Sequence, residues 1–359
     1  MKIDEFREDR LTQLDILRGI TCLWIVLFHY TARFNFYDNQ PLCWHINLPF
    51  AYDVVHLFFI ISGFVIFMML EKTKRPFDFL VSRFSRLFPM FWLTILGAST
   101  LILWFKIPDS ALVTLRTGLI NATMVPSFFN VQYIDGVYWT LEIEFVFYAI
   151  MFSIVMFRSL RHTNVIMSIL LVISCAIVQM VRMKIMREEL IWSYLKIARY
   201  LPWFCLGIAS YQFYKTKRLT VGCVFLAAMA LLSSLFIVDT GWYQRFVNIG
   251  VMVLFLIVLF YKPQPFMRPF VFLGAISYPF YLIHQNIGYV FITHIYTITK
   301  NVNFSIFLAI IFVISIASFL MLFVERPLTR FIRNAYKSFR KPALKTTPPL
   351  TEHKLLTMN

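Results

Sequence analysis

"LDILRGITCLWIVLFHY", residues 14–30, decides the fold. It is apolar and long enough to belong to a membrane span. Yet it carries Arg18 near one end and His29 near the other. Its N-terminal flank mixes acids with bases and no small-residue cleavage site follows, so it reads as a retained helix rather than a signal peptide. The two polar residues are eleven apart. On an α-helix that is about 16 Å of rise, three turns and roughly 20° more. Both side chains therefore share one face at different depths.

The rest of the chain agrees with a membrane reading. Of 359 residues, 59% are hydrophobic and 14% charged, and the mean hydropathy is +0.71. Soluble domains are about half apolar and about a quarter charged. Ten apolar runs predict ten helices, at 14–35, 52–70, 87–105, 137–157, 163–181, 197–214, 219–238, 246–261, 271–293 and 303–323. Lys and Arg set their orientation. With the N-terminus in the cytoplasm, 23 of the 34 fall inside and ten outside, Arg18 lying within the first span. The expectation is an all-α polytopic membrane protein of about ten transmembrane helices with both termini cytoplasmic. Residues 1–13 form a cytoplasmic segment, 14–340 the membrane domain, and 341–359 a disordered tail. The net charge of +16 lies beside apolar spans and fits no nucleic-acid pattern. Five cysteines without CxxC spacing indicate neither a disulfide framework nor a metal site.

Ionisable residues inside spans cost about 2.5–3.5 kcal/mol each on insertion scales and are functional candidates by default. His29, Glu142, Glu144 and His284 are the central ones, with Arg18, His56 and Arg199 nearer span ends. Each has a bland alternative: snorkelling for Arg18, helix–helix hydrogen bonds for the histidines, close packing for Ser62-Gly63. Counting rise from span ends puts Ser62, Glu144 and His284 near the depth of His29, so four helices are expected to meet at one polar level. Glu142 points to a different face from Glu144 and is expected nearer the outer surface, solvated. Arg83 and Arg86, at i and i+3, share a face and suit phosphate. Glu325, at the end of the last span, stands at their level and can hold one of them.

These segments together resemble the acyltransferase 3 family of bacterial integral membrane acyltransferases. "LDILRGITCLWIVLFHY" carries its Arg-x10-His, "HLFFIISGF" its FF-x-x-SGF, "SRFSRLFP" its Arg-x-x-Arg, "WTLEIEFVFY" its W-[ST]-L-x-x-E-x-x-F-Y, "GAISYPFYLIHQ" its G-x-x-SY-x-x-YL-x-H, and "VERP" its E-x-P. The six occur in family order across residues 14–327. Two positions depart: His56 stands where members often have Asp, and Phe145 where many have a second acid.

The resemblance implies an enzyme of the bacterial inner membrane that moves an acyl group, most often acetyl from acetyl-CoA, to a hydroxyl of a sugar, polysaccharide or lipid-linked glycan. It needs no bound cofactor or metal; its partners are acyl-CoA, the glycan acceptor and membrane lipids, with no nucleic acid. Arg18, Arg83, Arg86 and Ser62 are assigned to acyl-CoA. His29 and Glu144 are assigned to catalysis, with His29 as general base or acyl acceptor and Glu144 orienting it. His56, Tyr278, His284 and Glu325 are assigned to the acceptor side or to structure. A proton-coupled transporter is the rival reading, since intramembrane His and Glu suit a relay; the absence of repeated halves speaks against it.

Overall fold

The computed structural model describes residues 11–34, 53–105, 113–237 and 242–340, and for 188–192 and 236–237 the backbone alone. Expectations for residues 1–10, Cys43 and the rest of 35–52, 106–112, 238–241 and the tail 341–359 lie outside these residues. Among the described residues the chain is all helical. The α-helices are α1 (Thr12–Phe28), α2 (Val55–Lys72), α3 (Pro76–Phe105), α4 (Leu115–Asn121), α5 (Trp139–Met156), α6 (Thr163–Arg182), α7 (Glu188–Thr216), α8 (Val221–Ile237), α9 (Trp242–Phe260), α10 (Arg268–Thr299), α11 (Val302–Leu320) and α12 (Arg326–Arg340). A π-helical turn, His29–Arg33, continues α1, and another, Met321–Glu325, joins α11 to α12.

Within the described residues every predicted span falls on a helix, but several helices outrun their apolar runs. α3 starts at Pro76, with Asp78 in its first turn; proline suits the first helical position and acid suits the positive end of the dipole. α12 has no counterpart among the predicted spans, because its sequence is amphipathic and basic rather than apolar. Among the described residues eight helical stretches are long and apolar enough to cross a membrane. The two predicted spans outside that set are α7, which carries Lys196, Arg199 and Lys215, and α8, apolar over the shorter stretch Val221–Leu235. The chain is a polytopic, multi-pass membrane protein.

The spans are not equivalent. α1 and α2 are the most buried, whereas α6, α9 and α11 turn most of their surface outward. Two glycine pairs allow the central helices to touch. A Cβ on Gly19 would lie 2.1 Å from the Phe270 carbonyl oxygen, and one on Gly274 would lie 2.0 Å from that of Asp15. So α1 and α10 meet backbone to backbone. Gly63 and Gly207 do the same for α2 and α7, each blocking position being a carbonyl oxygen at 2.1 Å. In lipid, where apolar side chains gain nothing by leaving the surroundings, such close approach is a main source of helix association. Gly63 therefore packs as the bland alternative for Ser62-Gly63 supposes, and Ser62, one residue away, points elsewhere.

Candidate active site

A cavity opens between α1, α2, α3, α5 and α10. Its polar lining includes Arg18 from α1, Ser62 from α2, Arg83 and Arg86 from α3, Glu144 and Tyr148 from α5, and Tyr278 from α10. The helices place these side chains by simple periodicity. Arg83 and Arg86 sit one turn apart, and so do Glu144 and Tyr148.

The three arginines are poorly matched by anions. Arg18 Nη1 stands 3.8 Å from Asp15 Oδ1, too far for a hydrogen bond. Arg83 is only 9% exposed, reaches the Met69 sulfur at 3.0 Å, and leaves Nε without a partner. Arg86 faces Glu325 and Glu144 electrostatically and is close enough to Arg18 for the two to repel. Glu325 forms no ion pair with Arg86 within 4 Å and keeps Oε2 buried without a hydrogen bond. Among the described residues, then, no guanidinium of this cluster is held by a hydrogen-bonded carboxylate. A buried cation in that condition is costly, and an anionic ligand removes the cost.

Glu144 lies in this cavity and accepts hydrogen bonds from the Ser62 and Tyr148 hydroxyls. It makes none to His29, contrary to the expected orienting role. Ser62 gives its hydroxyl hydrogen to Glu144, so its direct service is to that carboxylate. Tyr278 lines the cavity and donates to the Leu87 carbonyl at 2.7 Å.

His29 belongs to a second cluster. Its Nδ1 is 2.6 Å from His284 Nε2, and His284 Nδ1 is 2.7 Å from the Tyr281 carbonyl oxygen. The backbones are tied as well. Tyr30 Oη donates to the His284 carbonyl at 2.8 Å and Tyr289 Oη to the His29 carbonyl at 3.2 Å. Tyr30 reaches across only because residue 288 is glycine, where a Cβ would sit 2.0 Å from Tyr30 Oη. His29 opens the π-helical turn, a departure from α-geometry that recurs at functional sites. Tyr281 joins the clusters: its side chain lines the arginine cavity and bonds Thr140 at 2.9 Å, while its carbonyl holds His284.

The single polar level expected from the sequence is therefore two clusters. Rise along a helix sets depth, but rotation about its axis sets the neighbour. Ser62 and Glu144 turn towards the arginines, His29 and His284 towards each other. Two other expectations change. Glu142 is not solvated: it is 0% exposed, pairs with Lys196 at 3.1 Å and accepts from Ser127, tying α5 to α7 and the preceding loop. His56 takes no part in either cluster; it stacks on Trp203 at 4.1 Å with its Nδ1 4.0 Å from Asp53. The sequence reading did not assign Asp15, Tyr148, Thr140 or Tyr281. Tyr148, one turn from Glu144, and Asp15, one turn from Arg18, were open to it; Thr140 and Tyr281 need the fold.

A family model described as an acyltransferase domain matches residues 11–323, and the chain belongs to that family, acyltransferase 3. The match contains every residue of both clusters except Glu325. The protein is thus a membrane acyltransferase. No curated protein and no solved structure matches the chain.

Proposed function

We propose that this protein is an O-acyltransferase, probing an acyl-CoA from the cytoplasmic face and passing its acyl group, acetyl in the first instance, to a hydroxyl of a cell-envelope sugar, polysaccharide or lipid-linked glycan. Membership of the family supports the bacterial inner membrane as the setting, and the distribution of Lys and Arg supports both termini inside. The observation that carries the reading is the convergence of Arg18, Arg83 and Arg86 on one cavity without a hydrogen-bonded carboxylate among them. Three guanidiniums against the single Glu144 leave the lining cationic. Guanidinium forks match phosphate oxygens in paired geometry, and coenzyme A ends in phosphates.

The thioester end of that ligand extends away from its phosphates. Arg18 and His29 lie on one helix face about 16 Å apart along the axis, and Tyr281 lies between the arginine cavity and the histidine pair. An acyl-CoA gripped at Arg18 can therefore present its thioester towards His29. There His29 acts on the acceptor hydroxyl as general base, a role worth about 10²–10⁴-fold in rate.

The test uses purified membranes, radiolabelled acetyl-CoA and the glycan fraction of the same cells. Label enters glycan with wild type and not with His29→Ala at equal protein level. Unchanged labelling in His29→Ala removes His29 from the chemistry, and no labelling by wild type with any acyl-CoA removes the reading itself.

A further inference from the structure

Two histidines in contact can share their protons in several ways, and the surroundings here select one. A carbonyl oxygen only accepts, so the 2.7 Å contact with Tyr281 fixes the proton of His284 on Nδ1. Neither ring hydrogen-bonds a carboxylate that would hold it charged. A neutral imidazole has one N–H, so His284 Nε2 is bare and must accept. The 2.6 Å contact then requires His29 to donate from Nδ1. Ring geometry agrees. The planes are within 8° of each other and the centroids 4.8 Å apart, close to the N···N distance plus two ring radii. The rings are thus nearly coplanar and side by side, as a hydrogen bond along a lone pair requires.

From this chain of contacts we infer that His284 is a positioning residue that fixes the tautomer of His29, leaving His29 Nε2 as the nitrogen that reacts. The inference rests on the acyl-transfer reading above and assigns its working atom. His29 Nε2 makes no hydrogen bond to any described residue, and His29 is only half-buried. In the transfer, the acceptor hydroxyl gives its proton to Nε2 while its oxygen bonds the acyl carbon. The acyl carbon–sulfur bond then breaks, and the departing thiolate of coenzyme A takes the proton back from Nε2. Between these steps His29 is a cation, and its Nδ1–H bond to His284 strengthens because the donor is charged. Attack of His29 on the acyl carbon, with thiolate leaving, needs the same bare Nε2. The π-helical turn and the crossed tyrosine bonds hold the two backbones so that this in-plane contact persists. The arrangement is the logic of a base oriented through its other nitrogen, with an imidazole in the place of a carboxylate.

The experiment compares His284→Gln with His284→Leu in detergent-purified full-length protein, using labelled acetyl-CoA. Gln supplies an oxygen that accepts from His29 Nδ1; Leu supplies none. His284→Leu is expected to lower kcat by about 10²-fold, within the range of acid–base effects, with KM for acetyl-CoA within about twofold. His284→Gln is expected to recover about tenfold of that loss. No loss in His284→Leu, or equal loss in both variants, overturns the assignment. A second measurement is independent of turnover: ¹⁵N NMR of histidine-labelled wild type, with His29→Ala used to assign the signals. Protonated Nδ1 and bare Nε2 on His29 support the inference; Nε2–H on His29 overturns it. If wild type transfers no acyl group, the proposed function fails, while the NMR result still decides the tautomer.

Discussion

α1 and the π-helical turn that continues it hold opposite kinds of polar site at Arg18 and at His29. At Arg18, three cations line a cavity with Glu144, and although Asp15 and Glu325 stand near Arg18 and Arg86, no carboxylate holds a guanidinium by a hydrogen bond. At His29, a neutral pair is satisfied within 2.6–2.8 Å by a neighbouring ring, a carbonyl and a tyrosine. The first is incomplete without a ligand; the second is complete except at one nitrogen. Binding sites tolerate unmet charge because the ligand meets it, whereas a reacting group must already be aimed before the ligand arrives. On the proposed function, the same helix face carries a docking end and a chemical end.

That contrast can be broken in several ways. The largest expected effect is at the chemical end: His29→Ala lowers kcat on the order of 10³-fold, with acyl-CoA affinity unchanged by equilibrium binding. Next is the joint between α1 and α10. Gly274→Ala forces a methyl group onto the Asp15 carbonyl, an overpacking worth about 1–3 kcal/mol. A lowered melting temperature in detergent, together with loss at both ends, is the expected result; an unchanged melt means the helices are not in backbone contact. Arg18→Ala is expected to raise KM for acyl-CoA about tenfold, equivalent to about 1.4 kcal/mol, with kcat altered less. Equal losses in KM and kcat would merge the two ends into one site.

Smaller effects sharpen the boundary. Glu144→Gln keeps an acceptor for Ser62 and Tyr148 but removes the one negative charge in the arginine cavity. We expect tighter acyl-CoA binding and kcat within about threefold, because Glu144 makes no bond to His29 and so carries none of the acid–base effect. A fall in kcat comparable with His29→Ala would put Glu144 back beside the histidine. Last, raising ionic strength from low to physiological is expected to weaken acyl-CoA binding a few-fold, since partly open cationic sites are screened, and to leave kcat alone.

Much of this was readable in the order of residues. Long apolar runs require helices in lipid, because only internal hydrogen bonding satisfies the backbone there, and within the described residues all ten fall on helices. Arg18 and His29 share a face by arithmetic alone. Arg83 and Arg86 pair by the same arithmetic, and they do line one cavity with Arg18. Where the reading failed, it had used depth as a proxy for contact. Glu144 at the depth of His29 seemed its partner, yet the rotation of α5 gives it to Ser62 and Tyr148. Glu142, judged solvated from its nearness to a span end, is sealed by Lys196 and Ser127 from segments far along the chain.

The sequence by itself determined where the apolar helices lie, how far apart their residues stand along each axis, and which share a face, because helical rise and period are local properties. Tertiary structure alone decided who meets whom across helices. The His29–His284 contact joins residues 255 positions apart and depends on Gly19 and Gly274 for its close helix crossing, on Gly288 for the reach of Tyr30, and on a π-helical turn for its aim. Those are matters of rotation and packing, and no local pattern encodes them.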